Sequence, residues 1–171
     1  VVTLEDAVPV AEFAWQFANT VGANCYLLAA PAVVDSEQTR RALIERCGLD
    51  DVLARSEKMD MALLSVGTMS AESTSFRFGF FTEEERQSLI KAGAVGDMLY
   101  NFYDKNGKIV DHPINRRVMS MPIDNLRTVA KRVLISGGND KVEALLGGIR
   151  LINPNVFITN EATARALVDH P

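Results

Sequence analysis

The chain has 171 residues, 47% of them hydrophobic, with 18 Lys and Arg against 22 Asp and Glu for a formal net charge of −4. That length supports one ordinary core rather than two, and no run of basic residues forms the stripe a nucleic-acid surface needs. No apolar run approaches the ~18–20 residues of a membrane span, and Cys25 and Cys47 are isolated thiols with no C-x-x-C pair and no leader segment, so a soluble protein of the reducing cytoplasm is expected.

Val1 to Leu4 reads as a short strand. Val10, Phe13, Ala14, Phe17, Ala18 and Val21 then recur at helical spacing, which predicts a helix with that stripe on the core and an end at Gly22; Trp15 lies off the stripe, at its rim. Asn24 to Ala30 is a second predicted strand, stopped by Pro31. Ser36 suits the N-cap of a helix through Cys47 with Leu43 and Ile44 inward, and a shorter helix follows Gly48, from Leu49 to about Lys58. Met61 to Val66 is a third strand, closed by Gly67-Thr68. Strand, helix, strand, helix, strand is the order of an α/β, doubly wound, mostly parallel, Rossmann-like sheet. Ligands of such sheets bind beyond the carboxyl ends of the strands, so Ala30-Pro31, Gly67-Thr68 and Gly137-Gly138 are expected on one rim.

Met69 to Phe81 is a loop rich in Ser and Thr, and Arg77 between Phe76 and Phe78 suits either a phosphate clamp or a surface stack. Thr82 with Glu85 forms a capping box for a helix to Ala92. Gly93 to Gly96 makes a flexible approach to one acid, Asp97. Met98 to Asp104 is strand-like, and Lys105 to Lys108 supplies a turn into Lys108 to Ile114. This predicts a β-hairpin flap laid on the sheet edge, or a subunit contact. Arg117 to Met121 reads as a short strand and Ile123 to Ala130 as a helical turn or two.

The most informative stretch is Lys131 to Arg150. Val133 to Ile135 suits a buried strand, Gly137-Gly138 turns the chain sharply, and a helix begins near Asn139, weakened or ended at Gly147-Gly148. The first turn of a helix presents unpaired N–H groups and partial positive charge, and Lys141 there opposes the helix dipole. The combination reads as an anion site, for a phosphate ester. The same pattern also fits an ordinary turn with a solvated lysine, and neither GxxxxGK[ST] nor GxGxxG is present to mark a nucleotide. Asn155 to Thr159 is the last predicted strand, and Asn160 N-caps a terminal helix.

Three segments in one order, AGAVGDMLYNFYDKNG, SGGNDKVEALLGGIR and NVFITNEATARAL, together with YLLAAP and ALLSVGTM, carry a family likeness. Over nearly its whole length the chain resembles the C-terminal effector-binding domain of the sorbose-operon type (SorC-like) bacterial transcriptional regulators. The resemblance implies a fold of the glucosamine-phosphate/ribose-phosphate isomerase type that has lost catalysis and kept a sugar-phosphate pocket. It implies a phosphorylated sugar or polyol as effector, a homo-oligomer (dimer or tetramer), and operator DNA bound through a separate helix-turn-helix domain that this chain lacks. By the same resemblance Gly137, Gly138 and Lys141, with Asn139 in the same turn, anchor phosphate; Asp97 accepts hydrogen bonds from sugar hydroxyls; Gly67 and Thr68 line the pocket; and Arg77 falls in a loop of variable length. No catalytic residue, cofactor or metal is expected. The family domain begins earlier and has glycines and a longer loop where Glu5-Asp6 follows Leu4, so residues 1–171 are expected to be one effector domain incomplete at its N-terminus. Thr159-Asn160-Glu161 stands where the family has Thr-Asp-Glu, which keeps the helix cap and loses a charge. Two other readings remain open. One is a sugar-phosphate isomerase with Asp97 as its base, His112 and His170 being surface residues; the other is an oligomerisation module with Trp15 and the flap as contact surface.

Overall fold

The computed structural model describes residues 10–170, and the strand expected at Val1 to Leu4 lies outside them. The alternation in β1 (Met61–Leu64) locates the core: Ala62 and Leu64 are buried, whereas Met61 and Leu63 are exposed. β1 pairs in parallel with β5 (Lys131–Ile135), which pairs in parallel with β6 (Val156–Ile158). The register sets Leu64, Leu134 and Phe157 side by side on one face. There they pack with Leu126 of α6 (Ile123–Thr128) and with Leu145 and Ile152 of α7 (Val142–Ile152). On the other face Met61, Leu63, Ile135 and Ile158 are all exposed. α8 (Glu161–Val168) follows β6, with the Asn160 side chain accepting from the Thr163 amide as a helix cap.

A second, antiparallel sheet takes the order β2-β3-β4, formed by β2 (Gly67–Thr68), β3 (Ala94–Met98) and β4 (Asn101–Asp104). This corrects the expected flap. The hairpin turns at Leu99-Tyr100, both at positive φ (52° and 62°), and the turn at Lys105 to Lys108 leads only to a single bridge, Tyr103 to Ile109. Phe102 and Tyr103 are wholly buried, so the hairpin is core, not cover. The segment before Asp97 is strand β3 rather than a flexible approach.

α7 packs on both sheets and does not break at Gly147-Gly148. A Cβ on Gly147 would lie 2.8 Å from the Tyr103 ring, and one on Gly148 2.8 Å from Val66 Cγ1. The glycines therefore weaken the helix locally but admit Tyr103, whose hydroxyl donates to the Ala144 carbonyl at 2.8 Å. α7 ends at Asn153 in the left-handed conformation.

The N-terminal part departs most from expectation. α1 (Val10–Val21) forms, yet Phe13, Phe17 and Val21 are exposed at 63%, 54% and 56%, with Phe13 stacked on Phe17; the expected core stripe is a surface stripe apart from buried Ala18. Asn24 to Ala30 is irregular rather than a strand, and Tyr26 is exposed under the Arg55 guanidinium. A strand needs a hydrogen-bonded neighbour, and among the described residues the only partner of β1 is β5. The expected strand at Arg117 to Met121 is reduced to one bridge, Val33 to Val118. α2 (Glu37–Arg46), capped by Ser36, and α3 (Leu49–Ser56) form as expected and share a small core of Val34, Leu49 and Met119. The Ser/Thr-rich loop contains a single helical turn, α4 (Thr74–Arg77), and α5 (Glu83–Lys91) opens on the Thr82-Glu85 capping box.

Candidate functional site

Because β1 and β5 run in parallel, their carboxyl ends emerge side by side. Beyond β1 the chain enters β2; beyond β5 it turns through Gly137-Gly138 into a 3₁₀ turn, Asn139–Lys141, and then α7. Lys141 occupies the N-cap position of α7 with no side-chain cap, so the helix N–H groups beside its ammonium lack a capping acceptor. Its Nζ donates a long 3.4 Å bond to the Val66 carbonyl, and it enters no ion pair among the described residues.

A cavity of about 420 Å³ lies between this turn and β2, walled by Gly67, Thr68 and Lys141 and closed by the Ser/Thr loop through Ser70, Glu72 and Ser73. The loop holds its shape through its own hydroxyls. The Ser70 amide donates to Thr68 Oγ1 at 3.3 Å, and the Glu72 amide donates to Ser70 Oγ at 3.2 Å. Ser75, also on the wall, donates to Asp97 Oδ1 at 2.6 Å. Asp140 and Glu72 add two carboxylates to the one ammonium, so an anionic group is best placed against Lys141 and the helix amides, with its neutral remainder toward the loop.

Asp97 lies beneath the cavity wall rather than on it. It is 4% exposed and pairs with Gly67, where a Cβ would fall 2.2 Å from Asp97 Oδ1; only glycine admits the carboxylate there. Its second oxygen, Oδ2, accepts from the Tyr100 amide at 3.1 Å and so holds the Leu99-Tyr100 turn closed. Burial pushes its pKa above the usual carboxylate range, while the Ser75 and Tyr100 bonds and the nearby Lys141 charge oppose that shift. Burial likewise pushes up the Tyr103 phenol beneath the same floor.

The expected site residues therefore do not all share one place. Gly67, Thr68 and Lys141 share the cavity, and Asp97 underlies it. Gly138 and Asn139 line a wider opening of about 690 Å³ on the other side of the turn, with Asn160 and Arg165, and Arg165 is paired there to Glu161 at 2.6 Å. Gly137 lies between, against Asn160, and Arg77 is exposed at the end of α4 on neither opening. Ala30-Pro31 borders neither. Ser70, Ser73, Ser75 and Asp140 belong to the site without having been singled out by pattern; their one sequence signal is the density of hydroxyls in Met69 to Phe81.

This arrangement of sheet rim, helix start and hydroxyl loop has known counterparts. Residues 5–169 match the model of the sugar-binding domain family. The chain belongs to that family. The sugar-binding domain is 34% identical over 142 residues to the deoxyribonucleoside regulator of Bacillus subtilis, covering 83% of this chain and 45% of that protein. It is 25% identical over 165 residues to the sorbitol operon regulator of Klebsiella pneumoniae, covering 96% of this chain and 52% of that protein. The full-length crystal structure of SorC, the sorbitol operon regulator of Klebsiella pneumoniae, superposes with a TM-score of 0.81 at 24% identity, over 91% of this chain and 50% of that one, which shows a shared fold. The sugar-binding domain thus spans about half the length of these relatives, and it is a SorC-like domain of the kind found in transcriptional regulators.

Proposed function

We propose that this domain is the effector sensor of a sugar- or polyol-responsive transcriptional regulator, with a phosphorylated sugar or polyol as ligand. The phosphate sits against Lys141 and the amides that open α7, and the hydroxylated remainder faces Thr68 and the serine loop. Asp97 acts through Ser75, which it holds in the wall, and through the Leu99-Tyr100 turn. In the longer protein, occupancy of the cavity selects one subunit arrangement and so changes operator binding by a separate DNA-binding domain; a coupling of ~1–3 kcal/mol suffices for a several-fold change or more. The isomerase-like type of the fold belongs to the same proposal, without its chemistry: both Asp97 oxygens are engaged and buried, so the acid singled out as a base does not face a substrate carbon.

The observation that carries this reading is Lys141, an ammonium on a cavity wall that enters no ion pair among the described residues, placed at the uncapped start of an eleven-residue helix. The test is a thermal-shift panel of sugars and polyols, each with and without phosphate, on the 171-residue chain and its Lys141→Ala variant. Phosphorylated members are expected to raise the wild-type melting temperature, by the equivalent of about 2.7 kcal/mol at a hundredfold excess over Kd. The variant should melt at the same temperature unliganded and lose the shift. An equal shift in the variant, or none in either, contradicts the proposal.

A further inference from the structure

Resting on the reading of the Lys141 cavity as the effector site, we propose that Ser73 is its specificity residue: the hydroxyl that selects ligands bearing a matching hydroxyl over their deoxy analogues. Half of the wall hydroxyls already have a partner. Thr68 and Ser70 accept backbone bonds that shape the loop, Ser75 is spent on Asp97, and Ser65 and Thr74 are exposed to water. Ser73 alone on this wall has an Oγ that is shielded from water and has no partner among the described residues.

Its position makes the omission informative. Ser73 precedes α4, where a serine ordinarily accepts a bond from the second or third helical amide, yet no side-chain cap forms; its backbone alone is used, the carbonyl accepting from the Phe76 and Arg77 amides and the amide donating to the Ser70 carbonyl. A shielded hydroxyl without a partner carries a standing desolvation cost. Ser73 lines the cavity and rotation about its Cα–Cβ bond breaks no hydrogen bond, so turning the hydroxyl toward a ligand costs no existing partner. A hydroxyl both donates and accepts, which matches another hydroxyl. The charged end of a ligand is drawn instead to Lys141 and the α7 amides. An analogue lacking the facing hydroxyl would leave Ser73 orphaned and bind correspondingly less well.

The experiment is calorimetric titration of the wild-type chain, Ser73→Ala and Lys141→Ala with ribose 5-phosphate, fructose 6-phosphate and glucitol 6-phosphate, each beside its monodeoxy analogues, and with inorganic phosphate. For the tightest of the three, Ser73→Ala should weaken binding roughly tenfold, the scale of one lost hydrogen bond. It should bring the preferred ligand and one deoxy analogue to equal affinity, and leave inorganic phosphate unchanged. The unliganded melting temperature should hold or rise, because the variant removes an orphan rather than a bond. Unchanged sugar-phosphate binding in Ser73→Ala, with loss in Lys141→Ala, overturns the assignment of Ser73 and leaves the effector site standing. Equal weakening of inorganic phosphate, or a destabilised unliganded variant, also overturns it, the first by making Ser73 a phosphate ligand and the second by making it structural. Failure of every probe to bind wild type removes the phosphorylated-effector reading and this proposal together.

Discussion

α1 and α7 are both amphipathic helices of similar length, and they end in opposite environments. α7 buries Ala144, Leu145, Leu151 and Ile152 between a parallel and an antiparallel sheet, while α1 leaves Phe13, Phe17 and Val21 in solvent and contributes to none of the core clusters among the described residues. An apolar stripe thus specifies a helix but not a neighbour. α7 meets strands whose own pattern points apolar residues at it. The sheet face carrying Met61, Leu63, Ile135 and Ile158 is exposed like α1 itself.

The largest test of that contrast is a pair of truncations. Leu145→Ala should cost about 2–5 kcal/mol in urea unfolding, the usual range for a fully buried leucine, whereas Phe17→Ala should stay within about 0.5 kcal/mol, as surface substitutions do. A Phe17→Ala loss comparable to that of Leu145→Ala would show α1 packed in solution and break the comparison.

A smaller effect separates two acids of the two regions. Asp97, buried under the cavity, has a folded pKa raised by burial, so the native state binds its proton more tightly than the unfolded chain. Its contribution favours folding at low pH and falls away as pH rises from the ordinary value of 3.8 through the raised folded value. Asp35, exposed ahead of α2, has its pKa lowered, chiefly by the Thr39 hydrogen bond, so its contribution runs the other way and is lost as pH falls through that lowered value. Urea midpoints across pH 3 to 8 should flatten above pH 4 in Asp97→Asn and not in Asp35→Asn. The same profile for both variants would mean that Asp97 is hydrated rather than buried.

Much of the site was legible in the chain itself. Val133 to Ile135, the Gly137-Gly138 turn and Lys141 are local features, each set by neighbours in sequence, and the parallel pairing of β1 with β5 then brings Gly67-Thr68 to the same rim. The illegible parts depended on contacts between distant segments. Asn106-Gly107 is the better turn signal by composition, so pattern alone assigns the hairpin there; the actual turn uses Leu99 and Tyr100 at positive φ, with the buried Asp97 carboxylate accepting from the Tyr100 amide and its other oxygen held by Ser75, 22 residues earlier. Gly147 and Gly148 read as a helix end because the ring of Tyr103 that needs their space lies more than forty residues earlier. Asn24 to Ala30 has the composition of a strand but no partner edge among the described residues. Arg77 was separated from the cavity by one turn of helix, α4, that points its residue away from the wall.

In the proposed function, ligand enters between the Ser/Thr loop and the start of α7. Amide hydrogen exchange on the 171-residue chain, with and without the sugar phosphate that most raises its melting temperature, addresses it directly. Added protection is expected to concentrate in residues 67–75 and 138–144, with α1 and residues 24–30 unchanged. Protection confined to the N-terminal region, or spread evenly over the chain with no excess at those two segments, would contradict it.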